Sequence, residues 1–295
     1  MLRSRPRRSV LYMPGSNLRA LEKAKTLPAD ALIFDLEDAV APDAKRDARL
    51  QVCNAVKAGG YGRREAIVRV NGLNTPWGYA DLVAASTAGA DAVLLPKTEN
   101  VESVRQAQTV MAASGAPPDL AIWCMMETPR AMLNAEAIAG SSPRVACFVM
   151  GTSDLTQELH ARHLRDRLPM LTSLGLCLLA ARAFDLAILD GVHLDLDDDA
   201  GYAQSCRQGR DLGFDGKTLI HPKQIAGAND VFAPSPEDVA WSRRIIQAHA
   251  EATAQGKGIV VVDGRLVENL HVLEARRMVA LAEAIADGEA ARAAS

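Results

Sequence analysis

Short apolar runs of β-type composition alternate with stretches of helical periodicity along most of this chain, and that alternation constrains its fold more than any motif does. The runs fall at residues 10–13, 31–36, 66–70, 92–95, 122–126, 145–150, 186–192 and 217–220. Helical periodicity covers residues 18–27, 45–57, 79–88, 101–112, 131–138, 155–160 with 171–183, and 201–212. Eight strands in alternation with helices over about 220 residues match the (β/α)8 barrel in count and length. An open doubly wound sheet is the competing architecture, but no G-x-G-x-x-G follows any run. The expected division is an α/β barrel over residues 1–230 and an extension over residues 231–295. The extension reads as helix, hairpin, helix. Ser235-Pro236-Glu237-Asp238 is a helix start, Asp263-Gly264 is a hairpin turn, and a final amphipathic helix covers residues 271–285.

Two of the apolar runs end in a lone carboxylate. Glu127 follows the run at 122–126 and precedes Thr128-Pro129, an N-cap residue and a proline suited to the first helical position. Asp154 follows the run at 145–150 after Gly151, Thr152 and Ser153. Parallel neighbouring strands would set both acids side by side at the carboxyl edge, where barrels place their chemistry. This makes Glu127 and Asp154 candidate ligands for a divalent metal, although Asp154 also reads as a helix N-cap with Gln157 completing a capping box.

Other polar residues end other strands. Alternation places Asp35 and Glu37 on one face, Arg69 stands between Val68 and Val70 and is followed by Asn71, and Pro96-Lys97 closes the fourth run. Charged groups buried in a barrel wall need partners or a ligand. Arg69 therefore reads either as a fork for a substrate carboxylate or as the ion-pair partner of Asp35 or Glu37. Two acids suit Mg²⁺, with Mn²⁺ as a substitute, and an added arginine describes a small 2-oxo or 2-hydroxy acid chelated to the metal. His221, beside a proline, reads as a hydrogen-bonded turn residue. Asp195, Asp197, Asp198 and Asp199 read as a solvated loop, with a second metal site as the alternative.

Composition narrows the partners. A formal charge of −3 and 4% aromatic residues give no basic stripe for nucleic acid beyond the first eight residues. The segment 168–184 is interrupted by Thr172, Ser173, Gly175 and Arg182 and is read as a buried helix rather than a membrane span. Cys53, Cys124, Cys147, Cys177 and Cys206 are scattered and odd in number, as expected of reduced core cysteines in a cytoplasmic protein.

The stretches RRSVLYMPGSN, ADALIFDLEDAVAPDAK, VRVNGLNTPWGYADL, AVLLPKTE, METPRA, GTSDLTQELH, DGVHLDLDDDAG, GFDGKTLIHPKQI and DGRLVENLHVLEARR follow one another nearly end to end. In these the chain resembles the citrate lyase β-subunit-like branch of the HpcH/HpaI aldolase superfamily. The resemblance implies a metal-dependent barrel that makes or breaks a carbon–carbon bond between a 2-oxo acid and an acyl-CoA, as malyl-CoA, citramalyl-CoA and citryl-CoA lyases do. It implies Glu127 and Asp154 as Mg²⁺ ligands and Arg69 as the carboxylate clamp. Asp35 and Glu37 would be acids holding metal waters or Arg69, and Pro96, Gly151 and Thr152 would line the substrate. It further implies a homotrimer or hexamer in which the extension reaches a neighbour's site, with Glu268 as the acid or base. Where lyases of this branch carry aspartate this chain has Glu268, which leaves thioester hydrolysis open. A CoA-free pyruvate aldolase and a subunit acting on a carrier-protein thioester are the other readings.

Overall fold

The computed structural model describes residues 5–256 and 258–293. The chain divides into two compact units, one of Arg7–Phe232 and one formed by the C-terminal segment from Ala233 onward.

In the larger unit, β1 (Ser9–Pro14), β2 (Ala31–Asp35), β3 (Glu65–Arg69), β4 (Ala92–Leu95), β5 (Ala121–Met126), β6 (Val145–Met150), β7 (Ala187–Asp190) and β8 (Gly216–Leu219) close in chain order into a parallel barrel. The expected (β/α)8 architecture is the one observed. Helices α1 (Leu18–Ala24), α2 (Lys45–Ala58), α3 (Gly78–Ser86) and α4 (Val101–Ala113) follow the first four strands. After them come α5 (Pro129–Leu133), α6 (Ala135–Ala139), α7 (Thr152–Glu158), α8 (Leu171–Ala183), α9 (Asp199–Leu212) and α10 (Ile225–Phe232).

Alternation along each strand sorts the side chains into two cores. Val10, Ile33, Ile67, Leu94, Trp123, Met125, Val149 and Leu189 fill the barrel interior, and the intervening residues pack against the helices. The same parity carries one step further, to the barrel mouth. Asp35 and Arg69, two residues beyond Ile33 and Ile67, lie on the inward series and face each other in register. The opposite end is closed by Arg7, which donates to Glu65 at 2.6 and 2.8 Å and lies over Trp123 at 5.2 Å.

Several details differ from the expectation. The helix expected over 131–138 breaks at Asn134, whose Nδ2 donates to the Glu99 carbonyl at 2.8 Å and separates α5 from α6. The segment 168–184 is a short 3₁₀ turn followed by α8, and it is only half buried. Leu174, Cys177 and Leu178 face the core while Leu176 and Leu179 are exposed. Helix α10 lies outside the helical stretches read from the sequence; it buries Ile225, Ala228 and Phe232 along one face and docks on α9 and β8. Among the described residues no helix is long and apolar enough to cross a membrane.

The smaller unit contains α11 (Pro236–Ala254), the antiparallel pair β9 (Val260–Val262) and β10 (Arg265–Val267), and α12 (Asn269–Ala293). Ser235 caps α11 by accepting from Asp238 N–H at 3.0 Å. Asp263 and Gly264 both take positive φ, 49° and 77°, as a two-residue hairpin loop of this hand requires. Ile245, Val267, Val272 and Ala275 form the unit's own core.

Candidate active site

Glu127 stands one residue beyond β5, where Thr128 caps α5 by accepting from Ala131 N–H at 3.1 Å. With the cap already supplied, the Glu127 carboxylate is free to turn toward the barrel mouth. It is only 2% exposed, and Oε1 accepts the Lys97 backbone N–H at 2.7 Å. Met126 pairs with Met150, so Gly151 follows beside Glu127 on the next strand. A Cβ on Gly151 would lie 2.5 Å from Glu127 Oε2; only glycine leaves that oxygen its place. Burial pushes the Glu127 carboxyl up to about 8; the Lys97 N–H opposes the shift, and the carboxylates of Glu37 and Asp154 add to it.

Asp154 is not a helix cap. Gly151 occupies the N-cap position of α7 without a side-chain bond, and Asp154 is the third helical residue, with its side chain 33% exposed. Its carboxylate is directed to Lys97, whose Nζ lies 3.9 Å from Oδ2. Lys97 adopts φ 44°, a left-handed conformation that costs a non-glycine residue about 1 to 2 kcal/mol.

Across the mouth, Arg69 Nε and Nη2 fork onto Asp35 at 2.7 and 2.6 Å. Asp35 also accepts from Glu37 N–H at 2.8 Å and Ala39 N–H at 3.1 Å, so its oxygens are fully engaged. These bonds tie Asp35 both to Arg69 and to the turn at residues 37–39. The edge of Arg69 outside this fork is Nη1, which donates to the exposed Asp38 carboxylate at 3.3 Å and to Met125 Sδ at 4.0 Å and lies 2.9 Å from Glu37 Oε2. The approach to Glu37 lacks hydrogen-bond alignment and leaves that buried oxygen without a hydrogen-bond partner among the described residues. Burial pushes the Glu37 carboxyl up to about 7, against the pull of Arg69 and with the help of Asp38 and Asp35. Lys45 fixes the same turn, donating to the Leu36 and Glu37 carbonyls at 3.0 and 2.7 Å.

Pro96 is buried at the end of β4, on the inward series after Leu94. Thr152 is buried, and its Oγ1 packs against Gly191. Asn71 is part of the scaffold: its Nδ2 donates to the Leu36 carbonyl at 2.8 Å and to Asp81, which Arg49 pairs at 2.6 Å. His221 is a turn residue, its Nδ1 accepting from Lys223 N–H at 3.1 Å. Within the acid run, Asp198 caps α9 and Asp199 opens it, so only Asp195 and Asp197 stay on the expected loop. Glu268 lies in the smaller unit, between β10 and α12, where its N–H donates to His271 Nδ1 at 3.0 Å.

Sequence reasoning missed Tyr12, a partly buried residue of β1 whose ring lies 4.9 Å from the Arg69 guanidinium and whose hydroxyl donates to Met125 Sδ at 3.3 Å. Its inward parity was the available signal. The contribution of Lys97 was also missed, because a positive-φ lysine has no local signature.

A divalent ion fits this edge. Glu127 is raised by burial and by the neighbouring Glu37 and Asp154 carboxylates, Asp154 takes no cap bond, and Gly151 leaves room for Oε2. Two carboxylate donors are the set that Mg²⁺ takes, since it is bound through one or two carboxylates and keeps its other positions for water and substrate oxygens.

A parallel barrel with acids and an arginine at its carboxyl edge defines the class of (β/α)8 proteins that place their chemistry at the strand ends. Within that class this chain belongs to the HpcH/HpaI aldolase/citrate lyase family, whose model matches residues 8–222. It is 54% identical over 281 residues to a (3S)-malyl-CoA thioesterase of Cereibacter sphaeroides, covering 95% of this chain and 96% of the relative. It is 34% identical over 286 residues, 95% of each chain, to the citrate lyase subunit beta of Escherichia coli (strain K12). The structure of protein CitE from Mycobacterium tuberculosis in complex with magnesium, acetoacetate and coenzyme A matches with a TM-score of 0.75 at 28% identity, over 95% of this chain and 99% of that one. The family resemblance carried by the motifs is thus shown.

Proposed function

We propose that this chain is a divalent-metal-dependent enzyme that hydrolyses a malyl-type acyl-CoA thioester to the hydroxy acid and free CoA. The observation that carries this reading is the 54% identity, over nearly all of both chains, with (3S)-malyl-CoA thioesterase, against 34% with citrate lyase subunit beta. Glu127 and Asp154 would hold Mg²⁺ or Mn²⁺, which supplies Lewis-acid polarisation of the substrate oxygens it binds.

The remaining roles belong to the chain's own residues. Arg69, locked by Asp35, presents Nη1 to the anionic end of the hydroxy acid once the exposed Asp38 carboxylate turns to solvent. Pro96, Gly151 and Thr152 line the space beside it. Glu37, held near neutrality by burial, is suited to take the proton of a water whose oxygen adds to the thioester carbonyl. The C–O bond forms, the C–S bond breaks, and the CoA sulfur leaves as thiolate and is protonated.

Carbon–carbon cleavage to a 2-oxo acid and a shorter acyl-CoA is the second reading, favoured by the citrate lyase relative. In it Glu268, supplied by a neighbouring subunit of a trimer or hexamer, protonates the thioester enolate. Purified protein incubated with (3S)-malyl-CoA and Mg²⁺ separates the two. Malate and free CoA in equal amounts support hydrolysis, whereas glyoxylate and acetyl-CoA move the assignment to the lyase. Turnover that survives chelation overturns the metal-dependent reading.

A further inference from the structure

Lys97 touches both candidate metal ligands with different parts of itself. Its backbone N–H holds Glu127 Oε1 at 2.7 Å, and its Nζ lies 3.9 Å from Asp154 Oδ2. It does so from φ 44°, where glycine would supply the same N–H without steric strain. The side chain is therefore the part that a lysine adds here. Its ammonium faces the carboxylates of Asp154, Glu127, Glu37 and Glu158.

The pair with Asp154 is loose. Its separation is long for an ion pair and the lysine side chain is 54% exposed, a setting in which such pairs contribute little net stability. Arg69, by contrast, is fixed by a buried two-bond fork. A loosely held ammonium beside the two carboxyls offsets the repulsion that arises when both are ionised, and yields to a stronger cation.

We propose that Lys97 is a displaceable counter-ion of the Glu127–Asp154 pair: its ammonium balances the carboxylates in the metal-free protein and turns out to solvent when a divalent cation binds. The inference rests on the reading of Glu127 and Asp154 as metal ligands. It means that Lys97 holds metal affinity below what the two acids alone would give.

Calorimetric titration of the full chain with Mn²⁺, without substrate, tests this. Lys97→Met keeps the backbone N–H and the left-handed conformation but removes the charge. It should tighten Mn²⁺ binding about three- to tenfold, the scale of an exposed charge at this distance. Its melting temperature in chelator should fall and its Mn²⁺-induced rise should exceed that of the unsubstituted protein, while Lys97→Arg keeps the original affinity. Lys97→Gly, free of backbone strain, serves as the second variant if the methionine protein folds poorly. Unchanged or weaker Mn²⁺ binding in the charge-free variants overturns the counter-ion role. Asp154→Asn separates the two levels: if it weakens Mn²⁺ binding while Lys97→Met fails to tighten it, only the inference on Lys97 falls. If Asp154→Asn has no effect, the ligand assignment falls and takes the counter-ion with it.

Discussion

Asp35 and Arg69 face each other in register across β2 and β3 and join through two hydrogen bonds, 2.7 and 2.6 Å long, in a pair with side chains 1% and 8% exposed. A buried pair of this geometry is costly to break from one side, because the surviving charge has no partner. Asp35→Asn should therefore destabilise the protein by about 3 to 5 kcal/mol. Denaturant unfolding measures this, and a loss below about 1 kcal/mol, the range of a surface pair, would show that solvent already screens the site.

Gly151→Ala tests the packing of Glu127. The added Cβ would lie 2.4 Å from Glu127 Cβ and 2.5 Å from Oε2, so relieving it shifts the end of β5 as well as the carboxylate. We expect a stability loss of about 1 to 3 kcal/mol, as for other overpacked sites, and a disproportionate loss of Mn²⁺ affinity. Normal metal affinity in the alanine variant would remove Glu127 from the ligand set.

The raised carboxyls set a pH dependence with a definite sign. Glu127 and Glu37 titrate in the folded protein near about 8 and about 7, above their ordinary range, so the native state binds their protons more tightly than the unfolded chain does. Their contribution to stability is fully present below the unfolded value of about 4.3 and is lost as pH rises through about 7 to 8. Thermal melts in chelator should fall across this window, and Glu127→Gln should flatten the slope. Because a ligating carboxylate must be deprotonated, Mn²⁺ affinity should rise over the same window with release of protons. A pH-independent affinity would contradict the shift at Glu127.

Glu268→Gln discriminates between reactions. It should leave Mn²⁺ binding and thioester hydrolysis unchanged, and it should depress any carbon–carbon cleavage by about 10²- to 10⁴-fold, as expected for a lost general acid. Product analysis on malyl-CoA reads both at once. Equal cleavage rates for the two proteins would return Glu268 to a solvent-facing role at the hairpin exit.

What the sequence alone determined is what depends on neighbours along the chain. Apolar runs of strand length separated by helical periods specified eight β/α repeats, and their observed bounds depart from the reading mainly at the helix ends. Thr128 and Pro129 marked the strand-to-helix switch that presents Glu127. Alternation alone sent Arg69 and Asp35 inward, and the family motifs were legible because they sit at those switches.

The tertiary structure decided what depends on which strands meet. Register placed Asp35 opposite Arg69 and so chose between two partners that the sequence left equal. The pairing of β5 with β6 brought Gly151 against Glu127, and the turn after β4 turned the Lys97 N–H onto the same carboxylate. Asp154, readable as a cap, emerged as the third residue of α7 because Gly151 starts that helix. Carboxyl affinities near neutrality have the same origin: desolvation and like-charge repulsion appear only when barrel closure brings residues 37, 127 and 154 to one mouth, and no local pattern encodes that meeting.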